Sequence, residues 1–235
     1  MSGVLILAIC SNHKVETKNI SEYYSSSGVG ELLSDGLAPR LYDARRSVRN
    51  LITSDKVSRN GVLLRDMPFN SRLVDGLDFL GKEKSGLYLP ALQRYDGRFY
   101  EEFGSTAERS ELAKTIKHHL LIVSGLYGLL TPTEPTQCYS CHVPDHPGIA
   151  KQWTRKTRTD LLTQLMLGYI EKFGIVRVFG FMAVDAYRNL ISWEMVRHAT
   201  KGNVFHCYSP QYAGPALLPT LGHLAKQYLT ETSEN

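Results

Sequence analysis

Four short runs of apolar, partly β-branched residues stand far apart in the chain. They cover residues 4–9, 120–123, 175–181 and 203–208. Unbroken apolar runs of this length are typical of strands that are covered on both faces. Helix-type stretches lie between them. The pattern therefore predicts a single α/β domain, residues 1–235, with a mostly parallel central sheet flanked by helices.

The stretches between these runs predict helices, a loop and a terminal tail. Helices are predicted over residues 41–54, 106–118, 151–169, 186–198 and 217–229. Residues 20–35 are rich in Ser and Gly and predict a mobile loop. Residues 230–235 are polar and predict a frayed tail.

Composition limits the class of protein without identifying it. The chain has 235 residues, four cysteines and a formal net charge of +4. The first ten residues are too short for a signal peptide and no run of 18 apolar residues occurs, so we expect a cytoplasmic protein with reduced thiols and no membrane segment. The charge permits a nucleic acid as partner without requiring one.

Residues 120–139 begin as a buried strand that breaks at Ser124-Gly125 and continues through Tyr127 to a Pro-rich turn and Tyr139. The carboxyl end of a strand in a parallel sheet is where α/β proteins bind ligands. The alternative is a tight turn that feeds a short helix, and the pattern alone favours that alternative.

The same segment, SGLYGLL followed by Pro132 and Tyr139, closely resembles the SGLYGxLxPxxxxxPY block of the YaaA family, proteins linked to peroxide stress and DNA binding. Weaker likenesses follow in family order, in LILAICSNHK, in LQRYDGRFY at Gly97 and Tyr100, and in MAVDAY at Ala183, Asp185 and Tyr187. The resemblance implies a YaaA-like fold. The chain departs from the family pattern at Thr131, Cys138 and Ser140.

Cys10 and Lys14 lie on the loop that follows the first predicted strand. A cation near a thiol raises its thiolate fraction, which favours nucleophilic attack. The Cys-x-x-x-Lys spacing also resembles a loop of archaeosine synthase, which works on cyano-deazaguanine in transfer RNA. Cys10 can equally be a small hydrophobic residue that ends a buried strand.

Asp185 follows the predicted strand at 175–181. Because the carboxyl ends of parallel strands meet at one edge of the sheet, we expect its carboxylate to point into the crevice shared by Cys10 and Ser124. Its alternative role is the N-cap of the helix predicted over 186–198.

Cys138, Cys141, His142 and His146 form a Cys-rich segment. Cys-x-x-Cys-His matches the haem attachment pattern, which belongs to exported proteins and is rejected here. A structural zinc site normally joins two separated ligand pairs, so we expect no metal, and zinc held by these four side chains stays open as the alternative. No phosphate loop or dinucleotide fingerprint occurs, and we expect no cofactor.

Basic residues cluster at Arg45, Arg46 and Arg49, and again at Lys151 and Arg155. Together they predict either a phosphate-binding surface for DNA, possibly RNA, or an ordinary solvated helix face. Both interpretations stay open at this stage.

The chain also resembles the YaaA-type protein of the gene clusters that insert deazaguanines into DNA. That resemblance implies hydration of the nitrile of 7-cyano-7-deazaguanine to the amide. Cys10, Lys14 and Asp185 would be catalytic, and the base would contact Ser124, Gly125, Tyr127, Tyr139 and Tyr187. The alternatives are a non-catalytic DNA-binding stress protein and a nucleoside glycosidase or transferase that uses Asp185 and Ser124.

Overall fold

The computed structural model describes residues 3–24, 28–33, 36–116, 118–154, 160–207 and 217–233. In chain order its strands are β1 (Gly3–Ile9), β2 (Ser21–Glu22), β3 (Ser85–Gly86), β4 (Leu89–Pro90), β5 (Leu120–Ser124), β6 (Gly128–Leu130), β7 (Pro135–Thr136), β8 (Ile175–Phe181) and β9 (Val204–His206). The central sheet has the strand order β6-β5-β1-β8-β9. β1 lies in the centre and pairs in parallel with both β5 and β8. β9 continues the parallel arrangement, whereas β6 is antiparallel to β5. The predicted α/β fold with a mostly parallel sheet is confirmed.

Helices cover the sheet. In chain order they are α1 (Val29–Leu32), α2 (Ala38–Ile52), α3 (Ala91–Arg94), α4 (Arg98–Glu101), α5 (Thr106–Ile116), α6 (Pro147–Trp153), α7 (Leu161–Lys172), α8 (Asp185–Arg188), α9 (Trp193–Ala199) and α10 (Leu217–Ser233). Residues 5–8 of β1 and all of β5 are buried, which explains why these strands are continuous apolar runs. Sheet and helices share one hydrophobic core.

The turn at Ser124-Gly125 leads into a strand and not into the short helix that the pattern favoured. Ser124 pairs with Gly128 across a tight β5–β6 hairpin. Gly128 has φ +73°, and a Cβ there would lie 2.5 Å from the Trp153 ring. Only glycine combines this backbone conformation with such close packing.

Two predicted helices are divided in the structure. The prediction over 151–169 covers α6 and α7, with residues 155–159 outside the described ranges. The prediction over 186–198 covers α8 and α9. Residues 189–192 separate them. At the end of this segment the Ser192 backbone N–H donates to Thr163 Oγ1 at 2.9 Å, and the Ser192 hydroxyl donates to Asp160 at 2.9 Å.

Two other segments contain regular structure that was not predicted. The expected loop at 20–35 contains β2 and α1, and the Val29 N–H donates to Glu134 Oε2 at 2.9 Å, while residues 25–27 and 34–35 of this segment lie outside the described ranges. The expected tail from residue 230 continues α10 as far as Ser233. Within the described ranges, no helix is both long and apolar enough to cross a membrane.

Candidate active site

A cavity of about 570 Å³ opens at the carboxyl end of the parallel strands. Its wall combines the loop after β1, the turn before α4, and the segment between β8 and α8. This is the edge where ligands bind in α/β sheets, and the volume suits a small planar ligand. The polar residues that line it are Cys10, Ser11, Asn12, His13, Asp96, Arg98, Tyr100, Glu101, His142 and Tyr187.

Cys10 is held at the end of β1, where its backbone N–H donates to Val123 O at 2.8 Å. Its Sγ atom lies 3.3 Å from the Tyr187 hydroxyl. Burial, and then the neighbouring Cys10, raise the pKa of Tyr187 well above its ordinary value. The phenol therefore stays protonated and can donate a hydrogen bond to a Cys10 thiolate.

Lys14 does not line the cavity. Its Nζ donates to Ser11 O at 2.8 Å and sits 4.3 Å from the centre of the Tyr139 ring. Burial lowers the pKa of Lys14, and the nearby Cys10 acts in the opposite direction. A negative charge on Cys10 therefore favours the charged form of Lys14.

His142 is a cavity residue that the sequence did not predict. Its ring centre lies 5.6 Å from that of Tyr187, and its Nδ1 is 3.8 Å from Asp145 Oδ1. Burial lowers the pKa of His142 despite this carboxylate, so a neutral imidazole faces the cavity at neutral pH. Its signal in the sequence is the Cys-x-x-Cys-His motif, whose pattern points to a metal or haem site and not to a base.

The Cys-rich segment does not converge on one point. His146 Nδ1 accepts the Gly148 N–H at 2.9 Å and caps α6. In the part of the chain that the structure describes, no three His, Cys, Asp or Glu side chains are arranged to hold a metal ion.

The predicted orientation of Asp185 is wrong. Asp185 is the first residue of α8, its N-cap being Val184, and it does not line the cavity. Its side chain is 78% exposed and forms an ion pair with Arg188. A carboxylate this exposed and already paired is not poised to act as a base in the cavity.

The predicted contacts of the base at the end of β5 and beyond it lie in the core and not on the cavity wall. Ser124, Gly125, Tyr127 and Tyr139 are buried and none lines the cavity, which corrects their predicted substrate-binding role. Ser124 Oγ accepts the N–H groups of Leu126 at 3.2 Å and Tyr127 at 3.0 Å, which fixes the turn.

Tyr127 of the hairpin and Tyr139, which follows β7, belong to a buried hydrogen-bond network. The Tyr139 hydroxyl lies 2.7 Å from both Ser124 Oγ and the Tyr95 hydroxyl. The Tyr127 hydroxyl donates to the buried Asp78 at 2.8 Å. Neither ring is free to stack on a base, whereas the predicted contact Tyr187 does line the cavity.

The basic residues predicted to bind phosphate do not form a single surface. Arg45 is fully buried, where it pairs with Glu134 at 2.8 Å and donates to the carbonyls of Tyr127 and Leu129. Its predicted phosphate contact is therefore wrong, because its guanidinium is inside the core.

The other predicted phosphate contacts differ in their surroundings. Arg46 is exposed and pairs with Asp43 at 2.6 Å, and Arg49 lies 3.9 Å from Asp75. Lys151 is exposed on α6. Arg155 lies outside the described residues.

The model of the family described as peroxide stress protein YaaA matches residues 70–214, more than half of the chain. The chain belongs to the YaaA family. The predicted resemblance is thereby confirmed at the level of the family. A search of curated proteins gives no match. The YaaA match includes Gly97, Ser124 and Tyr187, whereas Cys10 and Lys14 precede it.

Proposed function

We propose that this YaaA-family protein is a thiol-dependent hydratase that converts the nitrile of 7-cyano-7-deazaguanine in DNA to the 7-amido group. One observation carries the proposal: Cys10 Sγ lies at the cavity, 3.3 Å from the Tyr187 hydroxyl, and His142 shares the same wall. The likeness to the YaaA-type protein of deazaguanine gene clusters supports the choice of substrate.

In the first step the Cys10 sulfur adds to the electrophilic nitrile carbon. A C–S bond forms, one π bond of the nitrile breaks, and the nitrogen takes up the proton that the thiol gives up. The product is a thioimidate. Tyr187 donates a hydrogen bond to the sulfur before attack, and Lys14 stabilises the thiolate through its charge.

In the second step a water molecule attacks the thioimidate carbon. As the C–O bond forms, the π bond of the thioimidate C=N breaks and its electron pair moves to nitrogen, while the neutral His142 imidazole takes a proton from the water. The C=N bond then re-forms as the C–S bond breaks, the departing sulfur takes back the proton held by His142, and the remaining imidic acid tautomerises to the amide. The net change is the addition of one water, and no oxidant, reductant or metal is consumed.

His142 replaces Asp185 as the general base of this scheme. The replacement follows from position, since His142 lines the cavity and the Asp185 carboxylate is exposed and paired with Arg188. Burial lowers the pKa of His142, which keeps it in the form that accepts a proton.

A base within duplex DNA must leave the stack to enter a cavity of this kind. Lys151 is exposed on α6, so it is a better candidate for a phosphate contact than the buried Arg45.

The glycosidase alternative loses its support, because Ser124 is fully buried. The binding-protein alternative loses Arg45, one of the cations on which it depended.

The test is to mix the protein with an oligonucleotide that carries 7-cyano-7-deazaguanine, digest it, and weigh the nucleosides. The proposal expects that base to gain one water, while an otherwise identical guanine oligonucleotide is unchanged. An RNA version of the substrate decides between the two nucleic acids. An unchanged cyano base in both, with DNA nevertheless bound tightly at low salt, would contradict hydration and favour a binding protein.

A further inference from the structure

Two carboxylates line the described part of the cavity, Asp96 and Glu101, and the proposed reaction uses neither. They differ in how firmly they are held. Glu101 is exposed on the four-residue α4, and its side chain has no hydrogen bond to any of the described residues. Asp96 belongs to a turn that is fixed on several sides.

Backbone contacts fix this turn against the loop that carries Cys10. The Asp96 N–H donates to His13 O at 2.9 Å. The next residue, Gly97, has φ +91°, and a Cβ there would lie 3.2 Å from Ser11 Oγ. The position of Asp96 is therefore tied to that of the proposed nucleophile's loop.

A buried cation fixes the side chain of Asp96. Arg109 of α5 donates through Nη2 to Asp96 Oδ1 at 3.2 Å and through Nη1 to Tyr95 O at 2.5 Å. The Arg109 side chain is 6% exposed and that of Asp96 is 40% exposed. One carboxylate oxygen is thus anchored, and no hydrogen bond from the described residues engages the other.

A fixed carboxylate at a cavity selects for a particular pattern of hydrogen-bond donors. A guanine-type ring presents two adjacent donors, the ring N1–H and the exocyclic 2-amino group. An ionised carboxylate only accepts hydrogen bonds and can receive both at once. An adenine-type ring presents an acceptor at N1, which a carboxylate repels. The aromatic side chains Phe99, Phe181 and Tyr187 also line the cavity and can pack against a flat ring.

We propose that Asp96 is the specificity residue of this cavity, and that it reads the N1–H and 2-amino edge of a guanine-type base. The assignment rests on the proposed function for the location of the base. It adds the reason that a deazaguanine would be selected. Asp96 is preferred to Glu101 because a side chain that is already held in place loses less freedom on binding.

The test measures binding alone, with two bases that lack a nitrile and cannot react. These are 7-deazaguanine and 7-deazahypoxanthine, which differ only in the 2-amino group. A hydrogen bond to a charged acceptor corresponds to about a tenfold to hundredfold change in Kd. We expect wild-type protein to prefer 7-deazaguanine by that factor, Asp96→Asn to lose the preference, and the matched Glu101→Gln variant to retain it. Circular dichroism and urea unfolding establish that both variants fold.

The inference is overturned if wild-type protein binds the two bases equally or binds neither, or if folded Asp96→Asn retains the preference. An Asp96→Glu variant, which keeps the charge, should recover part of the preference if the carboxylate itself is read. Equal binding of the two bases together with hydration of the cyano base would overturn only the role of Asp96. A strong 2-amino preference without any hydration would overturn only the proposed reaction.

Discussion

Cys10 and Tyr187 are 177 residues apart in the chain, and the Cys10 sulfur lies 3.3 Å from the Tyr187 hydroxyl. They meet because β1 and β8 are parallel neighbours, so the residues that follow them reach the same edge of the sheet. The Cys10 thiol and the protonated Tyr187 phenol therefore lie side by side on the wall of the cavity.

Tyr187→Phe removes the hydroxyl that faces the Cys10 sulfur and keeps the ring. Since a hydrogen bond to a charged acceptor contributes about 1.5–3 kcal/mol, we expect alkylation of Cys10 by iodoacetamide to slow about tenfold or more. Tyr24→Phe is the control, because Tyr24 is exposed and is not one of the residues that line the cavity. Unchanged alkylation rates in Tyr187→Phe would mean that the hydroxyl does not stabilise a thiolate.

The acid limb of the pH–rate profile should report His142. Burial lowers its pKa below the ordinary value of 6.5, and the proposed reaction needs the neutral imidazole. Activity should therefore persist below pH 6.5 and fall only as the pH drops through the lowered pKa. His142→Gln should remove this limb and reduce kcat by about a hundredfold or more. The exposed His198→Gln variant should leave the profile unchanged.

The same shift in pKa affects stability with a defined sign. A folded state that favours neutral His142 binds fewer protons than the unfolded chain once the pH falls below the unfolded pKa. The contribution of His142 to the free energy of unfolding is therefore fully present above the unfolded pKa. It is lost as the pH falls from there through the folded pKa. Urea unfolding of wild-type protein and His142→Gln across this range measures the difference.

Arg45→Met should destabilise the protein by about 3–5 kcal/mol, because it leaves the buried Glu134 carboxylate without its partner. Arg46→Met, one residue along the same helix, should change the free energy of unfolding by about 0.5 kcal/mol or less, since Arg46 is exposed. Urea unfolding compares the two. Equal free energies of unfolding for the two variants would show that Arg45 is not buried beside Glu134.

Asp185→Asn should leave hydration activity within about twofold of wild type. Its exposed ion pair with Arg188 contributes at most about 1 kcal/mol to stability. Steady-state kinetics on the cyano-deazaguanine oligonucleotide provide the measurement. A loss of kcat in Asp185→Asn comparable to that in His142→Gln would restore Asp185 as the base.

The sheet could be predicted from sequence because its central strands are buried on both faces, which leaves continuous apolar runs. β8 has the predicted bounds, Ile175–Phe181. β6 was missed, because its three residues form a strand only where Gly128 turns the chain beneath Trp153. Gly128 and Trp153 belong to segments that are separate in the chain, so their contact leaves no pattern in the local sequence.

The candidate site was only partly predictable for a related reason. Cys10 follows a strand directly, so its position at the sheet edge could be inferred. Residue type does not reveal where a side chain points, and Ser124 and Arg45 both proved to be internal. His142 reaches the cavity from an irregular segment, Tyr139 to His142, whose path depends on tertiary packing.

The central claim is that Cys10 bonds to the nitrile carbon, and mass analysis of the Cys10 peptide tests it most directly. In His142→Gln the water step should be slow, so the thioimidate should accumulate and the acid-quenched peptide should carry the mass of the base or oligonucleotide fragment. Cys10→Ala should form neither adduct nor amide, whereas Cys207→Ala, outside the cavity lining, should behave as wild type. Amide formation by Cys10→Ala at the wild-type rate would contradict the account.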